Sequence, residues 1–87
     1  MTEQQIQKKR IDQLEKEGYY VIKLITTNKN GIPDLIAIPK NSGVLFSEVK
    51  RPGQKPRPLQ EFRIKELLKH GLNVEVFDGT VTNITDS

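Results

Sequence analysis

Two acids and a lysine stand at intervals that suit phosphoryl chemistry: Asp34 in the run Gly31-Ile32-Pro33-Asp34, and the pair Glu48 and Lys50 in Glu48-Val49-Lys50. The chain between them reads as an apolar run, a turn at Lys40-Asn41-Ser42-Gly43 and a second apolar run. That pattern predicts a hairpin with strands over 34–38 and 44–50. Strand side chains alternate, so Asp34, Ile36 and Ile38 share one face, and Val44, Phe46, Glu48 and Lys50 share one face. If Ile38 pairs with Val44, or Pro39 with Gly43, Asp34 lies directly across from Glu48. A slip by one residue buries the wrong set of side chains.

Carboxylates facing each other across a strand pair destabilise a sheet unless something compensates. A hard divalent cation does so: Mg²⁺ takes one or two carboxylates with waters and phosphate oxygens, at about 2.0–2.1 Å. Lys50, two residues beyond Glu48 on the same face, then stands beside a bound water and a phosphate. It could lower the pKa of that water, orient it, or stabilise the extra negative charge of the transition state. Each element has a bland version, since Pro-Asp is common at turns and Glu-Val-Lys suits a solvent-facing edge strand. Their joint spacing at the open end of one hairpin favours the chemical reading.

The flanking elements must hold these groups in place. Residues 2–17 predict a helix with a Thr2/Gln5 capping box and a stop at Gly18. Its buried stripe is Ile6, Ile11 and Leu14, with Glu3 inside the same arc. A first-turn acid favoured by the helix dipole is the plain account of Glu3. Residues 19–26 are β-branched and aromatic, hence a strand, with 28–31 as a turn and Tyr19 and Tyr20 as packing residues. Three prolines, Pro52, Pro56 and Pro58, forbid regular structure across the next loop. A second helix follows over 59–70, with Leu59, Ile64, Leu67 and Leu68 on one face and Gln60 oddly near its middle. His70 reads as a helix-end cation, because the sequence has no second histidine to join it as a ligand. Residues 73–77 alternate as a last strand, and 79–87 form an edge strand or a tail. The order is αβββαβ in a single domain spanning 1–87, a small mixed α/β sheet flanked by helices.

Composition sets the limits. An 87-residue chain has room for one small domain and gains stability from a partner, a metal or a second copy. It has no cysteine, which excludes disulfide and thiolate-zinc scaffolds and suits a reducing compartment. The polar N-terminus and the absence of any bilayer-length apolar run predict a soluble, cytoplasmic protein with no membrane partner. The formal charge is +3, and the basic residues concentrate at Lys8-Lys9-Arg10 and across 50–58, a lean towards polyanions. The basic loop is either a solvated charge run or a phosphate clamp made of Lys55, Arg57, Arg51 and Arg63, which would position a duplex without reading its sequence.

The run Gly31-Ile32-Pro33-Asp34-Leu35-Ile36 followed by Glu48-Val49-Lys50 resembles the PD-(D/E)xK nuclease signature. With the basic loop and a helix bearing Gln60, it is similar to the virus-type replication-repair nuclease (VRR-NUC) domain over about residues 3–77. The resemblance implies a restriction-endonuclease-like fold and an endonuclease dependent on Mg²⁺ or Mn²⁺. Its implied metal ligands are Asp34, Glu48, the carbonyl of Val49, and Glu3 directly or through water. Lys50 becomes the catalytic lysine, and Gln60 contacts Lys50 or the substrate phosphate. One departure is Arg57-Pro58 at the start of the second helix, where a polar capping residue is more usual. Branched DNA such as a four-way junction is the implied substrate, and two strand cuts on a twofold object favour a homodimer. A non-catalytic nucleic-acid-binding module of the same fold is the alternative.

Overall fold

The computed structural model describes residues 1–80 and 82–85. Helix α1 (Glu3–Lys16) opens with the expected capping box: Gln5 N donates to Thr2 Oγ1 at 3.2 Å, and Thr2 N donates to Gln5 Oε1 at 2.9 Å. Strand β1 (Tyr20–Lys23) pairs antiparallel with β2 (Leu35–Ile38), and β2 with β3 (Leu45–Val49). Helix α2 (Pro58–Lys69) then crosses over to β4 (Asn73–Phe77), which runs parallel to β3. Strand β5 (Thr82–Thr85) closes the sheet antiparallel to β4, so an edge strand lies within the 79–87 segment. Residues 81, 86 and 87 lie outside the described residues. The sheet order is β1-β2-β3-β4-β5.

Successive residues of β4 face opposite sides, which fixes the two layers. Glu75 is bonded to Arg10 of α1, whereas Val76 lines a hollow with Ile64 of α2. The helices therefore cover opposite faces. On the α1 face, Ile6, Leu35, Val49 and Phe77 form the core, with Ile11 and Val21 packed against it. On the other face, α2 packs against β4. Exposure there rises across the row Val74, Phe46, Ile36, Ile22, from fully buried at Val74 to 41% exposed at Ile22.

Three expectations need correction. Residues 24–26 are not strand: Leu24 N still donates to Asp34 O at 2.8 Å, but beyond it the chain leaves β2 for the local turn in which Thr27 Oγ1 donates to Lys29 O at 2.8 Å. Tyr20 is not a packing residue but 71% exposed, because β1 is the edge strand farthest from α2's side of the sheet; Tyr19 is half-buried. Leu59 leaves the buried stripe of α2 and is 45% exposed, while Ile64 is buried and Leu67 and Leu68 are half-buried. Leu59 rests instead on Gly31, where a Cβ would come within 2.8 Å of its Cγ.

Candidate active site

The Gly31-Ile32-Pro33-Asp34 run is shaped by contacts on both sides. Gly31 has φ 83°, open to glycine at no steric cost, and it lies against the backbone of Leu59, so a larger residue is excluded twice. This close approach sets the start of α2 beside the motif. Pro33 is buried and delivers Asp34 to the first position before β2.

The observed pairs Leu35↔Ser47, Ile36↔Phe46 and Ala37↔Leu45 are those of the expected register, which carries Asp34 across from Glu48. Asp34 Oδ2 accepts a 2.8 Å hydrogen bond from Val49 N. Burial pushes the Asp34 carboxyl above its usual range; the Val49 bond opposes this, and the negative charge of Glu3 adds to it. Glu48 is more extreme. It is 1% exposed, and among the described residues neither carboxylate oxygen has a hydrogen-bond partner. Lys50 Nζ stands 3.5 Å from Glu48 Oε2, an ion pair with both side chains buried. Burial first, and the facing charge of Asp34 second, raise the Glu48 pKa to about 8. Lys50 is anchored through its backbone N, which donates to Phe77 O at 3.0 Å and extends the β3–β4 ladder.

Not every expected residue joins this centre. Glu3 is exposed on the first turn of α1 and is felt at Asp34 as charge, but among the described residues no three acids cluster at metal-binding separation. Gln60 Oε1 accepts from Arg57 N at 2.8 Å, so the amide caps α2. The Arg57-Pro58 start is thereby explained: the cap comes from three residues ahead, and Pro58 occupies the first turn where its missing N–H costs nothing. No hydrogen bond joins Gln60 to Lys50 among the described residues. Arg51, Lys55 and Arg57 are exposed on the 51–57 loop, as a phosphate clamp requires. Arg63 differs: its Nε donates to Asn30 O at 2.8 Å and its Nη1 to Glu66 Oε1 at 2.8 Å, which makes it a brace between α2 and the β1–β2 loop. That bond with Arg63 also holds the Glu66 carboxyl below its usual range.

Two features escaped the sequence reading. Glu75, buried in β4, accepts 2.7 Å bonds from Arg10 Nε and Nη2 and a 2.6 Å bond from Ser47 Oγ. Arg10 also lies over the Phe77 ring, 4.9 Å from its centroid. The available signal was Arg10 itself, a cation spaced four residues from both Ile6 and Leu14 in the apolar stripe. The second feature is a cleft of about 300 Å³ formed by the β1–β2 loop and opening at Asp34.

The donor set fits a hard divalent cation: facing carboxylates, one of them buried with unsatisfied oxygens and reluctant to ionise without a counter-charge. Asp34, Glu48 and the Val49 carbonyl are the oxygens that would hold it. The sequence matches the VRR-NUC domain over residues 1–81. It is 35% identical over 79 residues to "Putative nuclease p44" of Acyrthosiphon pisum secondary endosymbiont phage 1, covering 90% of this chain and 84% of that protein. A solved VRR-NUC domain superposes with a TM-score of 0.79 at 34% identity, over 87% of this chain and 83% of the other. A restriction-endonuclease-like mixed sheet, the Asp34 and Glu48-Val49-Lys50 constellation at its open end, and a sequence match along nearly the whole length place this chain in the VRR-NUC domain family.

Proposed function

We propose that this VRR-NUC domain is an endodeoxyribonuclease dependent on Mg²⁺ or Mn²⁺ that cuts branched DNA. The observation that carries the reading is Glu48, a buried carboxylate facing Asp34 whose oxygens have no hydrogen-bond partner among the described residues. Structural acids are satisfied, and an orphaned one is a ligand waiting for its ion. When bound, the cation supplies Lewis-acid polarisation of the phosphate and lowers the pKa of water. The protein's own part is positional. Asp34 and Glu48 hold their oxygens towards one point, with Val49 N–H fixing the Asp34 rotamer. Glu3 adds negative charge from α1. Lys50 presents a buried ammonium where negative charge develops on the phosphate. Gln60 fixes the start of α2 by capping, while Arg51, Lys55 and Arg57 take backbone phosphates beyond the site.

The active species is a twofold homodimer. The apolar row Ile22, Ile36 and Phe46, with Tyr20 at its margin and Phe62 exposed on α2, is the surface a second copy covers. Incubating the protein with linear, flapped and four-way DNA in Mg²⁺, Mn²⁺ or EDTA tests the reading. Metal-dependent cutting of the four-way substrate supports it, and binding without cutting in every metal selects the non-catalytic module instead. Sedimentation equilibrium at micromolar concentration tests the dimer, and a monomer that makes paired cuts at a concentration-independent rate refutes it.

A further inference from the structure

The β1–β2 loop has no role in the chemistry described so far, and its composition is unusual for a turn. Ile25 is 83% exposed, the most exposed of the large apolar side chains among the described residues, and it lines the same cleft as Asp34. Thr26, Thr27, Lys29, Asn30 and Asp34 supply the polar part of the lining, and Leu24 and Ile32 the rest of its apolar part. The loop is also held firmly. Leu24 N donates to Asp34 O at 2.8 Å, tying its start to the catalytic strand. Thr27 Oγ1 donates to Lys29 O at 2.8 Å and accepts from Lys29 N at 3.3 Å, closing a local turn. Arg63 pins Asn30 from α2. An isoleucine pushed into solvent from a braced loop costs hydration without contributing to the core. Polar donors of the kind that take phosphate and sugar surround it.

Resting on the nuclease reading above, we propose that this loop is the element that selects branched DNA: Ile25 is a wedge entering an unstacked base step, and Lys29 with the Thr26 hydroxyl seats the adjoining backbone in the cleft. Apolar side chains, isoleucine among them, are used in this way to enter base steps that are already parted or easily parted. A continuous duplex offers no such step without deformation, whereas a junction or flap presents one at its branch point. The discrimination therefore comes from a single apolar side chain placed next to the cutting site, and needs no contact with base edges.

The test uses the full chain and a four-way DNA with 2-aminopurine at the branch point. Binding by the Glu48→Gln protein, which leaves the DNA uncut, raises the fluorescence as the base unstacks. Adding Ile25→Ser abolishes that rise and removes the preference for four-way over linear DNA in cleavage by the otherwise native protein. Lys29→Ala retains the rise at saturation but weakens binding and lowers the slope of log affinity against log salt by about 1. A native protein that neither binds nor cuts any DNA overturns the nuclease reading and this inference together. One that cuts, but whose Ile25→Ser variant unstacks and discriminates as before, overturns only the role of the loop. So does an Ile25→Ser variant whose oligomeric state shifts, because Ile25 then belongs to a protein interface.

Discussion

Glu48 and Glu75 lie on neighbouring parallel strands, each 1% exposed, and point to opposite faces of the same sheet. Glu75 is surrounded by donors, a serine hydroxyl and a two-pronged guanidinium that itself lies over an aromatic ring. Glu48 has one ammonium at 3.5 Å and another carboxylate opposite. Burial alone therefore does not distinguish a structural acid from a functional one. Satisfaction does, because a buried charge with its hydrogen bonds complete is a finished structure, whereas an incomplete one keeps its proton or calls for a partner from outside the chain.

The strongest way to break this contrast is to neutralise each acid in turn. Glu48→Gln, Asp34→Asn and Lys50→Ala each lower cleavage on the order of 10³-fold or more if these residues carry the proposed contacts to metal and phosphate. The two carboxamide changes remove a repulsion, so metal-free stability holds or rises. Glu75→Gln does the reverse, costing stability while the folded fraction still cuts. Single-turnover cleavage and urea unfolding on the same variants read both axes, and a Glu48→Gln protein with full activity removes Glu48 from the site.

A smaller effect is expected from the other side of the sheet. Arg10→Met leaves Glu75 buried and unpaired and costs about 3 kcal/mol. Replacing the whole network, Arg10→Met with Glu75→Leu and Ser47→Ala, recovers most of that loss, because a buried ion pair exchanged for apolar volume is often neutral. Urea midpoints of the single and triple variants decide the point; a triple variant as unstable as the single one shows that the network contributes net stability.

Legibility in the sequence follows the same division. The hairpin register was readable because turn length and alternation are local, and the pairs Leu35↔Ser47 and Ile36↔Phe46 follow from them. Both helix starts could be located from Thr2 and Pro58, although the Gln60 cap was not foreseen. What could not be read depends on distant partners. Whether Glu75 is satisfied is decided by Arg10, 65 positions away, and where Leu59 rests is decided by Gly31 in the β1–β2 loop. Arg63 looked like a phosphate contact because its acceptor is a backbone oxygen, Asn30 O, which no side-chain pattern announces.

The pH dependence of stability sharpens the contrast further. The folded-state pKa of Glu48 is raised from 4.5 to about 8, so between those values the folded protein keeps a proton that the unfolded chain has lost. Stability without metal is then full below the lower value and falls as pH rises through the window, at up to about 1.4 kcal/mol per unit. The raised pKa of Asp34 acts in the same direction. Unfolding midpoints in EDTA should drop between pH 5.5 and pH 8.5 (roughly spanning that interval), Glu48→Gln should flatten the slope, and saturating Mg²⁺ should restore stability at the alkaline end. A flat profile for the native protein in EDTA contradicts the picture of an unsatisfied acid.

The smallest effects carry the comparison from acids to cations. Arg63 is held by Asn30 O and Glu66, whereas Lys55 is exposed on the 51–57 loop. If partnered charges are structural and unpartnered ones serve the substrate, the two substitutions separate by readout. Lys55→Ala lowers the slope of log affinity against log salt by about 1 and leaves the unfolding midpoint in place, because it removes one phosphate contact and no internal bond. Arg63→Ala lowers stability by about 1 kcal/mol through the lost tie to Asn30, and its salt slope stays close to that of the native protein. The Arg63–Glu66 pair adds little to that figure, since Glu66 sits at the surface and exposed pairs are screened. Titrations of junction DNA at several salt concentrations, beside urea melts, measure both quantities. A lowered salt slope for Arg63→Ala returns Arg63 to the phosphate clamp, and with it the rule that a satisfied charge is a structural one fails for this protein.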